Sequence, residues 1–283
     1  MSEAALSLDN ISCVFASRDG KGTYTAVRDA SLSIAPGEFV SVVGPTGCGK
    51  STLLNVGAGL LSPSSGEVRV FGKPLEGVNE RAGYMFQGEA LMPWRSAESN
   101  VMAGLEFAGV PQDEARARAQ EWLKRVGLGG FGDRYPHQMS GGMRKRVMLA
   151  QTLIRDPDII LMDEPFSALD IQTRQLMENE VLEIWMAQRK AVLFITHDLD
   201  EAIYLADRIL VLKAHPGEVQ ELIEVPVPRP RSPAQFQSPE FLATKARVEA
   251  LIHPPAAHTD EGDPEPDVVP QVIRLTNVGD DVE

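Results

Sequence analysis

Cysteine is scarce in this 283-residue sequence: Cys13 and Cys48 are its whole complement, with no CxxC pair and no histidine cluster beside them. That excludes a disulfide framework and a thiolate zinc site, and it suits a reducing compartment. Long apolar runs are missing too. The longest charge-free stretches, residues 39–49 and 51–66, are interrupted by Gly, Pro, Ser and Thr, so neither supplies the roughly 20 apolar residues a membrane-spanning helix needs. The opening MSEAALSLDN has neither a basic start nor an apolar run, against expectation for a secretory signal. Basic residues are in deficit, 27 Lys and Arg against 40 Asp and Glu, for a formal charge of -13. With no basic tract, nucleic acid is excluded as a partner. Eight of the acids (Asp260, Glu261, Asp263, Glu265, Asp267, Asp280, Asp281 and Glu283) fall in a C-terminal stretch whose one basic residue is Arg274. That stretch has the composition of a disordered tail.

What is present is enough apolar material, 43% of residues, for one large domain with a full core. Apolar and polar residues alternate from Leu6 through Phe15 and again over residues 30–34, as in edge strands of an antiparallel sheet, with SRDGKGTY between them as a hairpin loop. Residues 39–43 form a compact β-rich run that leads into a Gly-rich turn and then a helix over residues 51–61. Two shorter β-runs follow at 68–71 and 83–86. Helical spacing then takes over at 97–107 and 112–126, as an inserted helical lobe would. From Ser140 onward helix and strand alternate: helix to 154, strand 159–162, helix 171–189, strand 192–195, helix 199–206, strand 208–212. Alternation of this kind implies a parallel sheet covered on both faces. Residues 226–239 are Pro-rich and read as extended, and residues 240–252 as a short amphipathic helix.

The turn after the first β-rich run, Gly44-Pro45-Thr46-Gly47-Cys48-Gly49-Lys50-Ser51 followed by Thr52, satisfies G-x-x-x-x-G-K-[ST]. Such a loop turns backbone N–H groups toward phosphates, brings a lysine charge to the β- and γ-phosphates and offers a Ser hydroxyl to Mg²⁺, all at the positive end of a helix. ATP and Mg²⁺ are therefore the expected cofactors. The apolar strand Ile159-Ile160-Leu161-Met162 ends in Asp163-Glu164, and ligands in open α/β sheets sit beyond the carboxyl ends of strands. Asp163 is placed to hold Mg²⁺ through water and Glu164 to polarise an attacking water.

Tyr135-Pro136-His137-Gln138-Met139-Ser140-Gly141-Gly142-Met143 resembles the signature sequence of the ABC ATPases. The resemblance extends over residues 5–245. It implies an α/β phosphate-loop NTPase fold: a RecA-like core, an antiparallel β subdomain and a helical subdomain inserted at about residues 88–155. The domain would occupy residues 1–245, leaving 246–283 to the helix end and the acidic tail. Within this resemblance Gln87 matches the glutamine that touches magnesium and the attacking water, and His197 the histidine at the γ-phosphate. Ser167-Ala168-Leu169-Asp170 matches a loop that crosses the dimer interface, bringing Asp170 to the ATP site. Ser140, Gly141 and Gly142 would bind the nucleotide held by the opposite copy. Phe15 matches the aromatic that stacks on adenine, with Tyr24 as the alternative. Two positions depart from the pattern: Lys145 stands where relatives usually have Gln, and Met139 where Leu is commonest.

Three further segments, GEALMPWRSAESNV (88–101), MDEPFSALDIQTR (162–174) and PRPRSP (228–233), resemble the nitrate, sulfonate and taurine importer branch of that family. That resemblance implies a homodimer that hydrolyses ATP. Its partners would be separate transmembrane permeases and, indirectly, an extracytoplasmic solute-binding protein. It would sit peripherally on the cytoplasmic face of the inner membrane, with Met92, Pro93 and Trp94 near the groove that receives the permease.

Overall fold

The computed structural model describes residues 3–16, 22–167 and 169–253. The expectation of a disordered tail beyond residue 253 lies outside the described residues. Two sheets organise the chain. The first is antiparallel, with strands β1 (Leu6–Ala16), β2 (Thr23–Ile34), β4 (Ser65–Val70) and β5 (Lys73–Pro74) in the order β2-β1-β4-β5. The second has six strands in the order β10-β9-β3-β8-β7-β6: β3 (Phe39–Val43), β6 (Ala82–Met85), β7 (Ile159–Asp163), β8 (Ala191–Ile195), β9 (Arg208–Lys213) and β10 (Glu218–Glu224). Strands β6, β7, β8, β3 and β9 run parallel, and β10 closes the edge antiparallel to β9.

Strands β3, β7 and β8 are buried along their whole length, which is why they read as apolar runs broken only by Ser41 and the terminal Asp163. Their side chains still alternate between faces. Val40, Val42, Ile159, Leu161 and Leu193 join Leu6 and Ile34 of the first sheet, together with Leu53 and Leu54 of α1 (Lys50–Gly57), in one core. Phe39, Ile160, Met162, Val192 and Phe194 point the other way, into a second core built with the remaining helices. Phe39 there meets Trp185 edge-on, ring centres 5.8 Å apart. Helices α2 (Ala97–Phe107), α3 (Gln112–Arg125) and α4 (Gly141–Leu153) pack on one another. Helices α5 (Ile171–Gln188), α6 (Leu199–Leu205) and α7 (Pro239–Ile252) complete the chain, and α7 runs unbroken through residue 245.

Four local expectations need correction. Helix α1 ends at Gly57 rather than residue 61. Gly59 sits at φ 69°, where a Cβ would fall 2.0 Å from the Gly77 carbonyl oxygen, so the backbone has turned out of the helix. Tyr24 belongs to β2, not to the preceding loop. Strand β10 went unread because only one of its residues, Ile223, is fully buried. Within the stretch expected to be extended, residues 233–237 make a 3₁₀ turn.

The PRPRSP segment has a structural explanation. Buried Arg231 donates to the carbonyls of Ile203, Tyr204 and Ala206 at the end of α6, at 2.8, 3.1 and 2.6 Å, satisfying acceptors that a helix terminus leaves open. Burial pushes its pKa down to about 10. Arg229 binds Asp207 at 2.8 Å and lies over the Trp185 ring.

Candidate active site

The phosphate loop joins β3 to α1, so its glycines lie at the carboxyl end of a central parallel strand. Gly49 adopts φ 89°, and a Cβ there would come 2.5 Å from Val27; only glycine allows the loop to pass so close to β2. Lys50 folds back over the loop, its Nζ donating to the carbonyls of Gly44 and Pro45 at 2.8 and 3.0 Å. Cys48 is fully buried beneath it. Burial pushes the thiol's pKa up, against the pull of Lys50.

A single strand, β7, separated from β3 by β8, delivers both acids. Ser51 at the start of α1 donates to Asp163 at the end of β7, 3.1 Å away. Burial raises the Asp163 carboxyl above its ordinary value, opposed by the Ser51 bond. Glu164, one residue on, holds a left-handed backbone at φ 40°, a strained conformation for a side chain of this kind. Its amide donates to Ile195 at 3.0 Å. One carboxylate oxygen of Glu164 meets two side chains from elsewhere in the sequence: Gln87 Nε2 at 3.1 Å and His197 Nδ1 at 3.2 Å. These residues follow β6 and β8, which flank β7 in the sheet. Topology therefore gathers three side chains that are up to 110 positions apart.

A cleft of about 710 Å³ is lined by Thr46, Lys50, Ser51, Gln87, Glu164 and His197, among others. Gly47, Gly49 and Thr52 also border it, while Gly44 and Pro45 border a second cavity that shares Thr46 and His197. Phe15 and Tyr24 both reach the first cleft, and they are register partners across β1 and β2. The sequence alternatives are thus adjacent side chains on one face of the ladder.

Ser140, Gly141, Gly142 and Asp170 do not line this cleft. Ser140 caps α4, accepting from Met143 N at 3.3 Å, and Asp170 caps α5, accepting from Thr173 N at 3.0 Å. The two helix starts adjoin: a Cβ on Gly142 would stand 2.6 Å from Thr173 Cγ2. Within one chain they form a separate, outward-facing group.

Among the described residues no set of three His, Cys, Asp or Glu side chains is arranged to hold a metal. The Ser51–Asp163 pair nonetheless suits a magnesium ion, which takes one or two protein oxygens and completes its shell with phosphates and water.

Sequence reasoning missed a polar group behind the site. Thr196 Oγ1 donates to Glu201 at 2.6 Å, and Arg174 donates to Asp198 at 2.8 Å and to the Leu169 carbonyl at 3.3 Å. Glu178, buried on α5, faces this group. In sequence these are ordinary helical charges; only the packing of α5 on α6 distinguishes them. It also passed over the contact of Lys145, whose Nζ donates to the main-chain oxygen of Gln87 at 2.7 Å.

Comparison with known proteins gives a consistent set of relatives. A family model described as "ABC transporter" matches residues 27–167. An uncharacterized ABC transporter ATP-binding protein of Methanocaldococcus jannaschii is 44% identical over 243 residues, 86% of this chain and 89% of its own length. The taurine import ATP-binding protein TauB of Yersinia pestis is 45% identical over 216 residues, 76% of this chain and 84% of its own. Among solved structures, a dimeric post-hydrolysis state of an ATP-binding cassette bound to ADP and Pi superposes with a TM-score of 0.70 at 33% identity. That match covers 77% of this chain and 98% of the other.

Proposed function

Since this chain belongs to the ABC transporter family, we propose that two copies of it bind ATP between them and couple its hydrolysis to uptake of a small solute of the nitrate, sulfonate or taurine class through separate membrane permeases. The observation that carries the reading is the convergence of Gln87 and His197 on one oxygen of Glu164 at the floor of the phosphate-loop cleft. A carboxylate fixed from two sides is aimed rather than free, as a group that orients a water for in-line attack on the γ-phosphate must be.

In this mechanism the backbone N–H groups of residues 44–49 and the positive end of α1 cradle the phosphates. Lys50, released from the Gly44 and Pro45 carbonyls, turns its ammonium onto the β- and γ-oxygens. Phe15 or Tyr24 covers the adenine. Glu164 takes the attacking water's proton as the water oxygen bonds to the γ-phosphorus and the bond from that phosphorus to the β,γ-bridging oxygen breaks, releasing ADP and phosphate. His197 holds the γ-phosphate side, and Gln87 senses whether that phosphate is present. Mg²⁺, held by Ser51, Asp163 and Gln87, would neutralise phosphate charge. Preorganised electrostatics supply most of the acceleration. Ser140, Gly141, Gly142 and Asp170 face outward because their nucleotide belongs to the other copy. Loss of the γ-phosphate removes contacts across the dimer, and the closed state opens.

The permease contact falls on the helical subdomain. Trp94 is 73% exposed and Phe107 82% exposed. Asn100, fully buried, braces the turn beneath Trp94 by bonds to Met92, Arg95 and Ser96. An exposed tryptophan on a braced turn, with Phe107 exposed at the far end of α2, is what a docking surface requires. Through this contact the chain sits peripherally on the cytoplasmic face of the inner membrane and takes solute delivered from the far side by an extracytoplasmic binding protein.

The test is ATP turnover and nucleotide-dependent dimerisation of the purified chain beside Glu164→Gln. The wild type turns over ATP; the variant binds it, stays dimeric and hydrolyses little. A variant that hydrolysed at the wild-type rate would remove Glu164 from the mechanism.

A further inference from the structure

Lys145 lies in the second turn of α4, the helix that Ser140 caps. It is only 4% exposed, and its Nζ finds one hydrogen-bond acceptor among the described residues: the main-chain oxygen of Gln87, at 2.7 Å. Burying an ammonium is costly unless it makes a strong, well-placed bond. A methionine or leucine would fill the same space at lower cost, so the charge is retained for the bond itself. Arg144, next on the helix, takes a second grip two residues further along the same loop, its Nε donating to Glu89 at 2.5 Å. The segment that carries Gln87 is thus held by α4 at two points on either side of Gly88.

We propose that Lys145 is a positioning residue for hydrolysis: it fixes the peptide of Gln87 to the signature helix, so that the placement of the Gln87 side chain on Glu164 follows the position of that helix. The two contacts are consecutive. Lys145 holds the Gln87 carbonyl, and Gln87 Nε2 holds the Glu164 oxygen that also meets His197. Ser140 and Lys145 share one rigid helix. When Ser140 engages the opposite copy's nucleotide, any shift of α4 is passed to Gln87 through a bond instead of through a slack loop. The sequence position where relatives usually carry an uncharged glutamine here carries a longer donor with a full charge. This inference rests on the role proposed for Gln87 above.

The experiment is a double-mutant cycle on steady-state ATP hydrolysis by the full-length chain. Lys145→Met should lower kcat about three- to thirtyfold while leaving the KM for ATP within about twofold, since misplacing a catalytic group acts on the reacting geometry and not on nucleotide binding. Lys145→Arg, which keeps charge and reach, should recover most of the loss. Gln87→Ala should itself lower kcat, and in that background Lys145→Met should add less than about twofold, because coupled residues are not additive. If Lys145→Met does not fold, Lys145→Leu, which also lacks a donor, enters the cycle in its place. An unchanged kcat in the Lys145 variant, or a loss of equal size with and without the Gln87 side chain, overturns the proposal while leaving the site intact. A Gln87→Ala chain of wild-type kcat overturns the site reading, and this proposal with it.

Discussion

Arg174 reaches Asp198 at 2.8 Å, and with that bond α5 is joined to the turn that carries His197. The same guanidinium donates to the Leu169 carbonyl and lies 3.6 Å from Glu201. It is the cation facing three acids, Glu178, Glu201 and Asp198, two of which are buried. Replacing it with methionine leaves Asp198 without its countercharge and the Leu169 carbonyl without its donor. Stability should fall by about 1–3 kcal/mol, less than for a fully buried pair because Arg174 keeps some solvent contact. Urea unfolding of Arg174→Met beside the wild type measures the difference, and an unchanged midpoint and slope would refute it.

The same cluster makes stability depend on pH. Burial, together with the charges of Glu201 and Asp198, pushes Glu178 up to about 8; burial pushes Glu201 up to about 7 against its bond from Thr196. Asp200 adds to the repulsion and Arg174 relieves it. Both carboxyls bind protons more tightly in the folded chain than in the unfolded one, where 4.5 is the ordinary value. Their contribution is therefore complete in acid and is lost as pH rises through about 7 and then about 8. Between pH 6 and 9 the loss should be roughly 2–4 kcal/mol. In Glu178→Gln the larger part of that slope should vanish. A melting temperature equally sensitive to pH in both proteins would argue against this assignment.

The central sheet was legible because burial on both faces leaves a plain mark: β3, β7 and β8 are short, predominantly apolar runs that end beside the residues proposed for the chemistry. The phosphate loop was legible because glycine spacing and a lysine carry its geometry locally. What failed to show was non-local. Strand β10 is held by pairing with β9, and its sequence, EVQELIE, carries mostly partners for water. Glu178 becomes unusual only when α6 is laid against it, and Lys145 only when Gln87 is brought from 58 residues away. The strain at Glu164 is likewise invisible in the letters Asp-Glu.

Phe15 and Tyr24 stand side by side at the cleft, 38% and 44% exposed, but they are not equivalent. The Tyr24 hydroxyl lies 3.5 Å from the Gly47 carbonyl, tying that ring toward the phosphate loop, whereas Phe15 has only its face to offer. The adenine should stack on Phe15. A base–aromatic stack is worth about 1–3 kcal/mol, so Phe15→Ala should raise the Kd for ATP about tenfold and Tyr24→Ala less than threefold. Fluorescent-nucleotide titration of the two variants decides; the reverse ranking assigns the stack to Tyr24.

The outward placement of Ser140 and Asp170 makes a prediction about two chains rather than one. In a dimer with composite sites, each nucleotide lies between the phosphate loop of one copy and the signature helix of the other. A Lys50→Ala chain alone has two damaged loops, and a Ser140→Arg chain alone has two damaged signature ends, so neither homodimer keeps an intact site. Mixed, they differ. The Lys50→Ala loop then faces the Ser140→Arg helix, both lesions fall in one site, and the other site unites an intact loop with an intact helix. A mixture of two inactive chains should therefore regain ATP hydrolysis in proportion to the heterodimer formed. If each site were built within a single chain, every chain in the mixture would carry a lesion in its own site and no activity would return. Recovery on mixing, measured with each variant alone as the baseline, separates the two arrangements without reference to the transported solute.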